Sequence, residues 1–347
     1  MKMSPSALTH SLHGTLLGTA VGDALGLPAE GMRPNRIHRL WDGDWRMRLF
    51  LGLGMLSDDT EHTFAVAQSL AEHPNDAALF QRALAARLRW WFLALPAGVG
   101  MATAKACIKL WLGISPGKSG VFSAGNGPAI RSALIGTFFH ADSVKRREFV
   151  RASTRITHTD PKAEEAALAV AEAAAFGVND GTTDEIVAAL TSINQDSLWQ
   201  SSMERLRVHL AQGSATTEFA AALGLTKGVS GYAFHTVPVA LYAWLRHRDD
   251  FAKAITSALD CGGDTDTVGA IVGALAGTSL GPESIPAKWT ECIKDWPLSI
   301  TKLNAAAHSL AAGEKIPSLN WLARVLRNAL FLCIVLAHGF RRLLPPY

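Results

Sequence analysis

The sequence predicts an all-α protein folded as one compact domain, on three observations. Ala/Leu-rich stretches with helical spacing alternate with Gly/Pro/Asn/Asp breaks, and few segments show the two-residue alternation of strands. Hydrophobic residues make up 48% of 347 positions, enough for a substantial core. No Pro/Ser-rich linker, fixed-period repeat or low-complexity tract divides the chain.

Charge and cysteine usage exclude some functions. With 33 basic and 30 acidic residues the net charge is only +3, and no dense Lys/Arg run is interleaved with aromatics, so nucleic acid is not favoured as a partner. Cys107, Cys261, Cys292 and Cys333 are scattered without a C-x-x-C pair. That spacing fits neither a zinc site nor a disulfide framework and suits a reducing cytoplasm. After Lys2 the weakly apolar start is interrupted by Asp23, so no secretory signal is expected.

The first helix is expected over residues 8–21, with Gly14, Gly18 and Gly22 on one face that another backbone can approach closely. It is expected to give way at residues 22–26, and Pro28 then leaves Glu30 in a loop. Taken alone, Glu30 is either a solvated glutamate or a carboxylate placed for chemistry. Residues 31–55 read as a long irregular segment holding Arg33, Arg36, His38, Arg39, Arg46 and Arg48 with Trp41 and Trp45. Such a segment is either a lid over a phosphate-bearing ligand or a basic loop anchored by its tryptophans.

Ser57-Asp58-Asp59-Thr60 opens the next apolar helix, and Asp58 with Glu61 has capping-box spacing. Capping accounts for one aspartate but not for Ser57, Asp58 and Asp59 in a row. Further helices are expected over residues 76–93, 102–112, 128–139 and 162–176. The loop 123–128, containing Gly125, Asn126 and Gly127, feeds a helix start and can offer backbone N–H groups to a phosphate, although Pro128 removes one donor; it can equally be only a turn. Asp160 is placed as a cap with Pro161 at the first helical position, and His158 just outside is either a ligand contact or an ordinary histidine. Residues 227–232 supply flexible backbone with Gly231 and the aromatic Tyr232 before an apolar helix over 235–244.

The stretch 260–277, DCGGDTDTVGAIVGALAG, sets Asp264 and Asp266 before a helix whose Gly269, Gly273 and Gly277 share a face. Two small-residue faces of this kind could pack together. Near the end, residues 328–340 are strongly apolar but too short to span a bilayer, so no transmembrane segment is expected. They read as a final core helix, a dimer or partner contact, or a membrane-surface anchor.

Both acidic clusters offer oxygen donors: the carboxylates of Asp58, Asp59, Asp264 and Asp266, with hydroxyls of Ser57 and Thr267. Oxygen shells select hard cations such as Mg²⁺ or Mn²⁺. Four aspartates at two helix starts suit two such ions better than one.

The motifs GDALGLPAE, SDDT, GNGPAIR, THTDP, SGYAFHT and GGDTDTVGAIVGALAG, in this order, resemble the ADP-ribosylglycohydrolase family over most of the chain. The resemblance implies an all-α fold of orthogonally packed helices and a dinuclear Mg²⁺ or Mn²⁺ centre. It also implies hydrolysis of the glycosidic bond between ADP-ribose and a modified side chain, arginine favoured. Residue by residue, it puts Ser57, Asp58, Asp59, Asp264, Asp266 and Thr267 around the metals and Glu30 in the catalytic position. Gly125, Asn126 and Gly127 would approach the pyrophosphate, and His158, Gly231 and Tyr232 the distal ribose and adenine. The expected substrate is an ADP-ribosylated protein or small ADP-ribosyl conjugate. Ser57 stands where many members have threonine, and Pro128 and Ile130 replace the residues more usual before Arg131. The family-like part is taken as residues 1–294, with 295–347 as a C-terminal helical extension. Two readings compete: a protein that holds ADP-ribose or a nucleotide without turnover, against which the intact motifs and Glu30 stand, and a metal-dependent phosphoester hydrolase, which would usually bring His/Asp ligands.

Overall fold

The computed structural model describes residues 5–344, and every regular element among them is a helix; β pairing is confined to isolated bridges. At the centre the N-terminal helix Pro5–Gly26 packs antiparallel against Thr265–Leu280. The register is set by small residues. A Cβ built on Gly14, Gly18 or Gly22 would lie 1.9 Å from the carbonyl oxygen of Gly277, Gly273 or Gly269 respectively, and one on Gly26 would lie 2.2 Å from that of Thr265. The two backbones therefore touch over four turns, and no side chain can be inserted between them.

One polar knot interrupts the apolar core at this contact. The buried hydroxyls of Thr15 and Thr278 lie 2.7 Å apart, and Thr137 from the neighbouring helix Ser132–Phe138 lies 3.1 and 3.2 Å from them. Each also bonds the carbonyl one turn back in its own helix, so the knot is satisfied and joins three helices. Around this pair the Ala-rich Pro161–Val178, the apolar Ala233–Arg246 and Ile300–Ala312 complete one continuous core. Leu303, Ala306, Ala307 and Leu310 belong to it, so residues beyond 294 share the core of those before.

Helix ends follow the local sequence. Asp76 accepts from Ala78 N and Leu79 N at 2.9 and 2.8 Å, Asp160 caps a helix with Pro161 at its first position, and Thr182 with Glu185 forms a complete capping box.

Four expectations are corrected. The first helix does not give way at Gly22: it runs to Gly26, because Gly22 and Gly26 remain in the backbone contact, and a short 3-10 turn Leu27–Ala29 carries Pro28. Residues 31–55 are not irregular throughout, since Pro34 starts the helix Pro34–Trp41. The helix expected over 128–139 is broken at Arg131 into Gly127–Ile130 and Ser132–Phe138. The last apolar helix is longer than read, Trp321–Arg341, and by length and composition alone it could cross a membrane. It is no core helix, since only Arg327, Asn328 and Phe331 along it are buried.

Gly273→Leu, and even Gly18→Ala, is expected to destabilise the fold by at least about 2 kcal/mol, because the new Cβ meets backbone that can move only by parting the central helices. Thermal unfolding checks this; an unchanged melting temperature in both variants would refute the contact.

Candidate functional site

The central contact ends in a cleft. Glu30 follows the first helix by one short turn, and Asp264 stands just before the first residue of the second without capping it through its side chain, so the antiparallel register sets them side by side. A double-glycine strap continues the pairing: Gly31 N donates to Gly263 O at 2.7 Å, Gly263 N to Met32 O at 2.8 Å, and Asp264 N to Val229 O at 2.9 Å. Gly262 and Gly263 hold φ of +64° and +83°, and a Cβ on Gly263 would lie 2.0 Å from Val229 O. Glycine is needed there both for conformation and for space.

The cleft encloses about 550 Å³ and is lined by Glu30, Asp58, Asp59, His62, Asp264, Asp266 and Thr267, with Gly125, Asn126, Gly127, His158 and Gly231 on the facing wall. Among the described residues, no Lys or Arg lines it. The two acidic clusters, about two hundred residues apart in sequence, are thus brought together with the glycine loops. Two expected residues do not line it. Ser57 is buried, and its hydroxyl accepts from Asp59 N at 3.2 Å as the helix cap. The capping role read onto Asp58 therefore belongs to Ser57, one position earlier. Tyr232 immediately precedes the helix Ala233–Arg246, and its ring packs edge-on against His235 at 4.9 Å.

Burial first, and then mutual repulsion, governs the carboxylates. Asp58 is pushed well above the usual range by burial and by the charges of Asp23, Glu61 and Glu30. Asp59 is raised likewise by burial and by Asp58, Asp23 and Asp264, opposed by a hydrogen bond from Thr267. Asp266 is raised by burial, Glu30, Asp264 and Asp59. At the cleft mouth Glu30 is raised by desolvation and then by Asp264, with Arg342 pulling it back. Asp59 Oδ2 is buried without a hydrogen-bond partner. An orphaned carboxylate oxygen amid like charges is the donor environment of a hard cation. Among the described residues, no three carboxylate, histidine or cysteine side chains already form a closed metal cage.

The facing wall is pinned by hydrogen bonds. Asn126 Nδ2 donates to Asp264 Oδ2 at 2.7 Å and to Thr236 Oγ1 at 2.9 Å, while Asn126 N donates to Gly231 O at 3.0 Å. The Asn126 N–H is therefore committed within the protein and cannot serve a phosphate as expected. His158 faces Gly125, where a Cβ would come within 2.9 Å of Nε2. Its Nδ1 lies 2.9 Å from Thr157 Oγ1, which accepts from the fully buried Arg131 at 2.8 Å. The other acceptor for the Thr157 proton, Thr154 O, is 3.5 Å away, so the shorter contact makes Nδ1 the acceptor and leaves the proton on Nε2. Burial and then the Arg131 charge lower His158 to about 3, which keeps it neutral.

The arginine-rich segment is not a lid. Trp41 and Trp45 are buried, Trp45 Nε1 donates to Asp260 Oδ1 at 2.7 Å, and none of its arginines lines the cleft. The anchored-loop reading holds.

A match to the family model described as ADP-ribosylglycohydrolase extends over residues 4–318. The chain belongs to the ADP-ribosylglycohydrolase family. It is similar to the ADP-ribosyl-[dinitrogen reductase] glycohydrolase of Rhodospirillum rubrum, 29% identical over 80% of this chain and 87% of that protein. It is also similar to the ADP-ribosylarginine hydrolase Tri1 of Pseudomonas putida, 28% identical over 87% of this chain and 78% of that one. A solved structure titled ADP-ribosylglycohydrolase-related protein complex superposes with TM-score 0.68 at 25% identity, covering 89% of this chain and 99% of that one. Membership carries hydrolysis of ADP-ribose conjugates, and the all-α single-domain fold agrees.

Sequence reasoning missed one cleft residue, His62, and one support beneath the cleft, Asp23. His62 lies one turn after Asp58 on the same helix face, a spacing that could have flagged it. Asp23, taken as a helix break, is fully buried beneath the first acidic cluster. It accepts from Ser57 N at 2.9 Å, Thr60 N at 3.3 Å and Thr60 Oγ1 at 2.5 Å. Burial pushes its carboxyl up to about 6 against those donors.

Asp23→Ala is expected to cost at least about 2 kcal/mol in urea unfolding, because three buried donors lose their acceptor, while Asp23→Asn costs less. Equal stability of wild type and Asp23→Ala would remove Asp23 as the support of the acidic loop.

Proposed function

We propose that the chain hydrolyses the glycosidic bond between ADP-ribose and a modified protein side chain, with arginine the favoured acceptor and two Mg²⁺ or Mn²⁺ ions in the cleft. The observation that carries this reading is the convergence of Asp58, Asp59, Asp264, Asp266 and Glu30 in one cleft without a lining Lys or Arg. Four aspartates would hold the cations, with Thr267 beside them; Ser57 contributes through the helix cap. The arginine preference is supported by the name of the Pseudomonas putida relative. When bound, the ions supply Lewis acidity toward ribose hydroxyls and water.

The protein's own groups then have distinct tasks. Cleavage breaks the bond from the anomeric carbon to the side-chain nitrogen, joins a water oxygen to that carbon, and returns a proton to the leaving group. Glu30, with its carboxyl raised, holds or moves that proton. Asn126 is held between Asp264 and Thr236 and fixes the distance between the acidic wall and the glycine loop. His158 Nε2–H is a neutral donor toward an oxygen-rich substrate, and Gly125, Gly127 and Gly231 leave room for it.

Incubation with ADP-ribosyl-arginine and ADP-ribosyl-serine peptides plus Mg²⁺ or Mn²⁺ tests the reading, with free ADP-ribose measured. Release from the arginine peptide supports it, binding without release favours the non-catalytic alternative, and release from serine alone overturns the acceptor. Glu30→Gln is expected to keep the fold and bound metal while turnover drops by about 10²–10⁴-fold; near wild-type turnover sinks the assignment.

Asp266→Ala is expected to lose bound metal and activity yet remain a folded helical protein, since it removes a carboxylate between Asp264 and Thr267. In the same preparations, added Mg²⁺ or Mn²⁺ should raise the melting temperature of the wild type and not of this variant. Full metal content and activity in Asp266→Ala would defeat the metal reading.

A further inference from the structure

The last helix carries an unpartnered apolar face bordered by features that say what covers it. Leu322, Leu326, Leu330, Leu336 and Phe340 are all exposed along Trp321–Arg341, while its other face is fixed to the protein. Arg327 pairs with the buried Asp295, Asn328 Nδ2 donates to Ala94 O at 2.9 Å, and Phe331 packs with Leu27, Leu49 and Met55. The helix therefore lies along the surface and does not project from it.

Two loops brace it, and each presents a leucine where water disfavours one. Leu51 follows two residues after Leu49 and is 85% exposed with φ +50°; Leu95 follows Ala94 and is 76% exposed with φ +56°. A left-handed backbone is costly for leucine and easy for Gly or Asn, so an aqueous surface gains nothing from leucine at either position. An apolar medium does.

The two ends of the helix differ in chemistry. At its start Trp321 Nε1 donates to Trp90 O at 3.1 Å, and Trp90 packs edge-on against Trp111 at 5.2 Å, all three rings being exposed. At its end Arg342 meets the helix Pro34–Trp41, with Arg36 Nη2 donating to Arg342 O at 2.6 Å, while Arg341 before it and Arg39 one turn on from Arg36 are exposed. From Lys315 to Tyr347 the sequence contains no Asp or Glu. For a helix lying flat, the leucines between can enter the acyl boundary while the tryptophans at one rim and the arginines at the other stay at headgroup level, which suits a bilayer surface with anionic headgroups.

We infer that this face docks on the surface of an anionic lipid bilayer, with the last helix lying in the interface and Leu51 and Leu95 inserted beside it. The test is flotation of the full chain with vesicles of phosphatidylcholine alone and of phosphatidylcholine mixed with phosphatidylglycerol, alongside light scattering for oligomeric state. Binding to the mixed vesicles, weaker binding to the neutral ones and loss on adding salt are expected. Leu51→Asn combined with Leu95→Asn suits the existing backbone, so the melting temperature should hold or rise while vesicle affinity falls at least about tenfold. Flotation with neither vesicle overturns the inference. So does a dimer that Leu326→Ser with Leu336→Ser dissociates in the absence of flotation, which would assign the face to a second copy of the chain. Equal affinity for neutral vesicles overturns the anionic headgroup as the partner of the arginines.

Discussion

Backbone contact between two helices is the constraint on which the rest depends. Carbonyl oxygens of Gly269, Gly273 and Gly277 occupy the places where Cβ atoms of Gly22, Gly18 and Gly14 would stand, so the pair can take one register only. In ordinary helix packing, side chains keep axes roughly 8–10 Å apart and allow some sliding. Here a one-residue slip would drive a larger side chain into a backbone. That rigidity is spent at one end: the register that seats Gly26 against Thr265 also seats Glu30 beside Asp264, and the strap at Gly262-Gly263 extends the same alignment to Val229.

The cleft at that end is electrostatically unfavourable by itself. Asp58, Asp59 and Asp266 are raised by burial and by one another, and the facing wall offers neutral partners: Asn126, and His158 kept uncharged by burial. The positive charges close by are directed elsewhere, Arg131 to Ser153 and Thr157, Arg327 to Asp295, and Arg342 to the Glu30 backbone. With Arg131 and Arg327 bonded elsewhere, no protein cation offsets the charges of Asp58, Asp59 and Asp266 among the described residues. The same arrangement explains why His158 can serve as a fixed neutral donor: the buried Arg131 that depresses its basicity also holds the threonine that sets its tautomer.

Features written locally were legible in the sequence, and features created by tertiary contact were not. Glycine at every fourth position announced a close approach, and Asp160-Pro161 marked a helix start the structure retains. The acidic clusters and the glycine loop could be grouped because each stands at a helix start and because their order resembles a family. A local reading lets the first helix give way over residues 22–26 ahead of Pro28; its continuation to Gly26 rests on Thr265–Leu280, which no local window contains. Asp23 was misjudged for the same reason, since an aspartate in a helix is unremarkable until Ser57 and Thr60 supply its donors. Capping spacing pointed to Asp58, but the hydroxyl of Ser57 one residue earlier satisfies Asp59 N and leaves Asp58 to face the cleft. Trp41 and Trp45 suit a lid as well as an anchor in sequence, and the burial of both rings with the bond from Trp45 to Asp260 separates the two.

The end of the last helix meets the segment around Glu30, which gives that helix a structural task besides its exposed face. Residues 27–32 connect the glycine contact to Pro34–Trp41, and a segment this short could shift its glutamate by an ångström without breaking any helix. Three sets of bonds oppose that. Gly31 and Met32 pair with Gly263, His338 Nε2 lies 3.0 Å from Pro28 O, and Arg342 Nη1 donates to Glu30 O at 2.9 Å. The last two come from the C-terminal helix, which is itself held at Asp295 and Ala94 on its inner face. Glu30 thus has a clamped backbone and a side chain open to the cleft. Arg342 also draws the Glu30 carboxyl back toward its ordinary range against burial and Asp264, so one residue acts on both the position and the proton affinity of the glutamate proposed to handle the proton.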